Sequence, residues 1–137
     1  MALVDASALV AVFGRNQPHQ AHYTRLFQQA EAEHWNLATT WPCVTEASYL
    51  LGLPQRYACL RWIGAGGLSV YPFSPESLEL MVDWMRVYTQ APRTEMDLAD
   101  ASLFCLAHET SVNRIMTTDV RDFSRYRLPD GRAFEIL

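Results

Sequence analysis

The sequence contains no lysine: all eleven basic side chains are arginine, set against fifteen acids for a formal charge of −4. A phosphate-cradling loop of the GxxxxGK[ST] kind needs its lysine, so a P-loop nucleotidase is excluded. Phosphoacceptor domains and aspartate phosphatases, which also gather acids at strand ends, rely on a lysine too and are disfavoured. Cysteine is scarce. Cys43, Cys59 and Cys105 form no CxxC pair and each sits among apolar neighbours, which points to buried thiols in a reducing compartment. No apolar run approaches the roughly 18 residues needed to span a bilayer, so no membrane partner is expected. The opening Met1-Ala2-Leu3-Val4-Asp5 lacks a basic leader and holds an acid within its first apolar run, so no secretory signal is expected and a cytoplasmic location is. Low-complexity tracts, internal repeats and long linkers are also missing, and the expectation is one domain over residues 1–137. The acidic total argues against a broadly basic nucleic-acid footprint, although a local basic rim can sit within it.

What is present is apolar material, half of the chain, enough for a sizeable core. Short β-rich segments alternate with helical patterns, and this βαβα rhythm predicts a parallel sheet covered by helices. The expected strands are Ala2 to Val4, Asn36 to Thr39, Leu68 to Pro72, Arg114 to Thr117 and Ala133 to Ile136. Tyr23, Leu26, Phe27 and Ala30 repeat at helical spacing, as do Leu78, Met81, Val82 and Met85 after Ser74-Pro75. A helix from about Pro42 carries Cys43, Ala47, Leu50 and Leu51 on one stripe, breaks near Gly52 and Pro54, and gives way to a second helix over Gln55 to Ile63. Gly64, Gly66 and Gly67 end that arm.

In an open parallel sheet, ligands bind beyond the carboxyl ends of the strands. Asp5 ends the first strand and Asp119 follows Arg114 to Thr117, so both are directed to that crevice. Asp100 lies in the first turn of a helix beginning near Asp97, and Glu46 lies early in the helix after Trp41-Pro42. Four converging carboxylates repel one another unless a cation sits among them, and hard oxygen donors select Mg²⁺ or Mn²⁺ over zinc. Such an ion acidifies water and neutralises charge developing on a phosphodiester, so phosphodiester hydrolysis is the natural chemistry.

The segments Leu3-Val4-Asp5-Ala6-Ser7-Ala8-Leu9, Thr45-Glu46, Leu98-Ala99-Asp100-Ala101 and Thr117-Thr118-Asp119 resemble, in order and from end to end, the four motifs of the PIN-domain family. The resemblance is closest to the VapC-type toxins of prokaryotic toxin–antitoxin pairs. It implies a PIN-like three-layer α/β/α sandwich on a short central parallel sheet of four to five strands, and a metal-dependent endoribonuclease restrained by an antitoxin. Asp5, Glu46, Asp100 and Asp119 are the implied catalytic set, with Asp5, Asp100 and Asp119 as metal ligands. Ser7 and Thr118 are implied as supporting hydroxyls, and Asp122 resembles an accessory acid of the last motif.

Several of these residues also have a purely structural use. Asp97 and Asp100 stand where a cap and a first-turn acid stabilise a helix N-terminus; with a cap available at Asp97, Asp100 is free for other work, and Asp97 stays open as an outer ligand. Ser7 can be a helix N-cap, and Glu46 can be a solvated residue off an apolar stripe. His19 and His22 lie three apart but do not complete a zinc site. His108 falls on the Ala101, Phe104 and Cys105 stripe and is expected in the core.

Arg121, Arg125, Arg127 and Arg132 follow Asp119 closely, and their forks suit phosphate oxygens. The first three are the expected RNA contacts, with a solvated charged loop as the alternative. Tyr126 is a candidate for stacking on a base and Phe123 for the core. Trp35, Trp41, Tyr49, Tyr57, Trp62, Trp84 and Tyr88 exceed what a small core needs, so some are expected on an interaction surface. The resemblance implies a homodimer interface and an antitoxin groove, and residues 42–63 are this chain's version of that arm. The competing reading is a catalytically silent PIN-like module that binds RNA or protein.

Overall fold

The computed structural model describes residues 1–90 and 92–137. The apolar opening forms a fully buried strand β1 (Ala2–Val4), followed by α1 (Ala6–Phe13) and α2 (Gln20–Ala32). Next come β2 (Leu37–Thr40), α3 (Trp41–Leu50), α4 (Gln55–Gly64), β3 (Ser69–Tyr71) and α5 (Ser77–Tyr88). The chain ends with α6 (Leu98–Thr110), β4 (Arg114–Met116), α7 (Val120–Arg125) and β5 (Glu135–Ile136). The five strands form one parallel sheet in the order β3-β2-β1-β4-β5. Helices flank it: α1 packs on α2, α3 and α4, while α6 packs on α5 and β2 and meets α3. The α/β architecture with a five-stranded parallel sheet matches the sequence reading.

The three central strands are buried almost throughout, as the continuous apolar runs of a two-faced parallel sheet require. Register is tied by polar side chains as well as by the ladder. Thr39 Oγ1 donates to the Val4 carbonyl at 2.6 Å, and the Asp5 amide continues the pairing by donating to the Met116 carbonyl at 3.0 Å. The Tyr23 hydroxyl of α2 donates to the Thr117 carbonyl at 2.6 Å, fixing the end of β4 from the helical layer.

Some boundaries and faces differ from the sequence reading. Strands begin or end a residue or two away from the expected limits, since terminal ladder bonds depend on neighbours the local sequence does not contain. The Ser74-Pro75 pair forms a turn before α5, and the helix starts at Ser77. Its inner face is Met81, Trp84, Met85 and Tyr88; Leu78 and Val82 are exposed. Leu50 likewise turns out to solvent at the end of α3, whereas Cys43, Val44, Ala47 and the following Leu51 are buried. His108 is exposed, not core, although its ring meets Trp84 edge-on at 5.7 Å. The stretch after Asp119, open to reading as a charged loop, contains α7, whose Phe123 is fully buried as expected.

Candidate active site

Every strand is parallel, so the carboxyl ends of β1, β2 and β4 share one edge, and the acids gather there. Three of them are also helix caps. Asp5 caps α1 through the Ala6 amide at 2.8 Å, Asp97 caps α6 through the Asp100 amide at 2.9 Å, and Asp119 caps α7 through the Asp122 amide at 3.3 Å. The positive ends of helix dipoles favour carboxylates at such positions. Ser7 therefore is not the cap of α1; Asp5 is, and Ser7 stands inside the helix.

Asp5 is 5% exposed and both its oxygens are engaged. Oδ1 accepts from the Ala6 amide, while Oδ2 accepts from Ser7 Oγ and from Thr117 Oγ1, each at 2.8 Å. Burial pushes its pKa up, against the pull of the hydrogen bonds from Thr117, Ser7 and Ala6. Thr117 was absent from the expected site, and its hydroxyl is the one that contacts Asp5. The Thr117 hydroxyl is fully buried, donates to Asp5 and accepts from the Asp119 amide at 3.0 Å. Thr118 contributes its backbone amide, which donates to Ser7 Oγ at 2.9 Å.

Asp100, Asp119 and Asp122 each offer a carboxylate oxygen within 4.8 Å of the other two. Each also has one oxygen already held by a protein donor. Tyr126 Oη donates to Asp100 Oδ2 at 2.6 Å, Arg125 donates to Asp122 Oδ1 at 3.0 and 3.2 Å, and Asp119 Oδ1 caps its helix. Burial lifts Asp100 to a pKa of about 8, opposed by the Tyr126 hydrogen bond and reinforced by Asp97, Asp5 and Asp119. Burial also raises Asp119, with the neighbouring Asp122 and Asp5 adding to it. Glu46, half-buried on α3, stands apart from the tight trio but is raised by burial and by the fields of Asp97, Asp5 and Asp119. Thus the accessory Asp122 sits inside the closest group, while Asp5 and Glu46 lie around it.

The donor set is all oxygen, with no histidine or cysteine in the trio, and three neighbouring carboxylates have only Arg125 as an ion-pair partner among the described residues. Such a set fits Mg²⁺ or Mn²⁺. His19 and His22 are exposed and belong to no comparable group among the described residues.

The expected RNA contacts divide. Arg121 is exposed and, among the described residues, makes no side-chain hydrogen bond or ion pair. Arg125 is committed to Asp122 and the Tyr88 carbonyl, Arg127 folds onto the Ser124 and Tyr126 carbonyls, and Arg132 binds Asp130 and the Ser111 carbonyl. Tyr126 is fully buried, so it is unavailable for stacking on a base. Beside the acids lies an open groove of about 820 Å³ lined by Trp41, Tyr49, Phe73 and Leu98 together with Glu46 and Asp97. Trp41 and Tyr49 are 58% and 82% exposed there, whereas Trp62 and Trp84 pack against the core.

No protein-family model matches the sequence, and no curated protein matches it either. Among solved structures, the chain is similar to Mycobacterium tuberculosis VapC20, described as a Sarcin-Ricin loop cleaving toxin. The TM-score is 0.75 over 89% of this chain and 92% of that one, at 15% sequence identity. The chain therefore shares the fold of that protein, the fold that the ordered motifs led us to expect, and the likeness is one of fold alone.

Proposed function

We propose that this chain is a Mg²⁺- or Mn²⁺-dependent endoribonuclease and the toxin of a toxin–antitoxin pair. The observation that carries the reading is the trio Asp100, Asp119 and Asp122, with mutually adjacent oxygens, beside the buried Asp5 at the carboxyl edge of the sheet. Asp5, Asp100 and Asp119, with Asp122, would hold the ion. When bound, it supplies charge neutralisation at a phosphodiester and acidification of the attacking water. The chain's own part is positioning. Ser7 and Thr117 fix Asp5, Asp97 orders the first turn carrying Asp100, and the exposed Arg121 would meet RNA phosphate. Glu46, on α3 and within the fields of Asp97, Asp5 and Asp119, would complete the four-carboxylate set.

The partners follow from the surface. The groove beside the site combines exposed aromatic side chains with two acids, which suits an antitoxin segment carrying apolar and cationic side chains. Trp41, Tyr49, Leu50, Leu53 and Tyr57 leave the α3–α4 arm unusually apolar, consistent with a homodimer; a monomer by light scattering counts against it. A cytoplasmic setting suits an RNA substrate and three buried free thiols.

The test is cleavage of end-labelled structured RNAs by the purified chain, with Mg²⁺ or Mn²⁺ against EDTA, beside Asp5→Asn and Asp100→Asn. Metal-dependent cuts lost in both variants are expected. A folded, partner-free wild type that cuts no RNA would instead leave a silent RNA- or protein-binding module.

A further inference from the structure

We infer that Tyr126 is a positioning residue of this site, whose hydroxyl fixes one oxygen of Asp100 and leaves the other to a divalent cation. The inference rests on the metal-dependent reading above and adds to it a residue from outside the four motifs.

A buried phenol needs a hydrogen-bond partner, and a backbone carbonyl serves that need at little electrostatic cost. Tyr23 of this same protein does so through Thr117. Tyr126 instead donates to a carboxylate that is itself 8% exposed, a partner that is expensive to bury without a cation. Core satisfaction alone does not require that choice; orientation of a ligand does.

The direction of control follows from the packing. The Tyr126 ring is enclosed edge-on by Phe123 and Tyr88, each at 5.1 Å, and by Phe104 at 6.3 Å, with the Arg125 guanidinium 5.2 Å from its centre. Its hydroxyl is therefore a fixed point, and the short Asp100 side chain takes its orientation from it. Asp100 Oδ1 has no protein donor among the described residues, and an oxygen of this carboxylate lies within 4.8 Å of oxygens of Asp119 and Asp122. Arg125 treats Asp122 in the same way and is itself held by the Tyr88 carbonyl. Two consecutive residues at the end of α7 thus hold two of the three neighbouring carboxylates. Partners of this kind typically contribute 10–100-fold to metal affinity.

The experiment is calorimetric titration of Mn²⁺ into metal-free wild type, Tyr126→Phe and Asp100→Asn, with near-UV circular dichroism to check the fold. Tyr126→Phe keeps the ring and is expected to bind Mn²⁺ about 10–100-fold more weakly. Its RNA cleavage should recover as Mn²⁺ is raised, with KM for RNA unchanged at saturating metal. Asp100→Asn should bind none. Wild-type affinity in Tyr126→Phe overturns this inference alone; no Mn²⁺ binding by wild type overturns the metal-dependent reading and this inference with it. Should Tyr126→Phe fail to fold, the wild type supplies the readout: the Tyr126 ring resonances must shift on Mg²⁺ addition and stay still in Asp100→Asn. Unmoved resonances in wild type with Mg²⁺ bound overturn the inference.

Discussion

Raising the pH of the metal-free protein is expected to destabilise it, and Asp100 sets the scale. Burial lifts its carboxyl from the ordinary 3.8 to about 8, while unfolding returns it to water. Between about pH 4 and pH 8 the folded state therefore holds a proton that the unfolded state has released. A group with a raised folded pKa stabilises fully below its unfolded pKa, and that contribution is lost as pH rises through the folded value. One such group gives a slope of about 1.4 kcal/mol per pH unit, or about 3 kcal/mol between pH 5 and pH 7. Asp5, Asp119 and Glu46 are shifted in the same direction and add to the slope. On the metal-dependent reading proposed above, a divalent ion would take the place of the proton, so saturating Mg²⁺ should flatten the dependence and raise stability most at the higher pH. The assay is urea unfolding in EDTA at pH 5, 6 and 7, repeated with Mg²⁺. Metal-free stability that is level or rises across this range would refute the reasoning.

Thr117→Val should lower stability by about 1–3 kcal/mol in urea unfolding, because it removes a donor to Asp5 and the acceptor of the Asp119 amide. Thr118→Val should stay within about 0.5 kcal/mol of wild type; equal effects would reverse the assignment of the two hydroxyls. Arg121→Ala should weaken RNA binding and reduce the slope of log affinity against log salt by about one, measured by filter binding with a cleavage-dead variant. Arg125→Ala should show itself in the melting temperature, since that side chain already pairs with Asp122 and the Tyr88 carbonyl. Gly67→Ala drives a Cβ into the Trp62 indole, which is packed between Phe13 and Phe27 at 5.5 and 5.4 Å. The expected loss is about 1–3 kcal/mol, and an unchanged melting temperature would show that the indole can yield.

The parts of the site that were legible in the sequence are those set by local order. An apolar run ending in an acid places Asp5 at a strand end, and an acid three residues into a helix start places Asp100 near Asp97, wherever the rest of the chain goes. Choosing between Thr117 and Thr118 needs the face of a strand at the residue where its ladder stops, and β4 stops at Met116. Asp122 ranks low by motif because α7 is six residues long, too short for an apolar period to announce that positions 119 and 122 share a turn. Tyr126 was misread as a surface group, and the Tyr88 contact of Arg125 was not foreseen, for a tertiary reason. Their partners, Asp100 and Tyr88, are supplied by α6 and α5, at sequence distances of 26 and 37 residues.

Capping and ligation were opposed as explanations for the acids, and the geometry lets one test separate them at Asp100. Its backbone amide, not its carboxylate, takes part in the Asp97 cap, so its charge does nothing for that hydrogen bond. An asparagine at this position keeps an oxygen for the Tyr126 hydroxyl, fits the same space and carries no charge to bury. If Asp100 served the fold alone, asparagine would be no better than aspartate. If it is kept for a cation, the metal-free fold bears the strain of a buried carboxylate, and relieving it should stabilise. Asp100→Asn is therefore expected to exceed wild type by on the order of 2 kcal/mol in EDTA at pH 8 and to fall behind it once Mg²⁺ is added. Urea unfolding under the two conditions measures both differences. A variant less stable than wild type without metal would return Asp100 to a structural role.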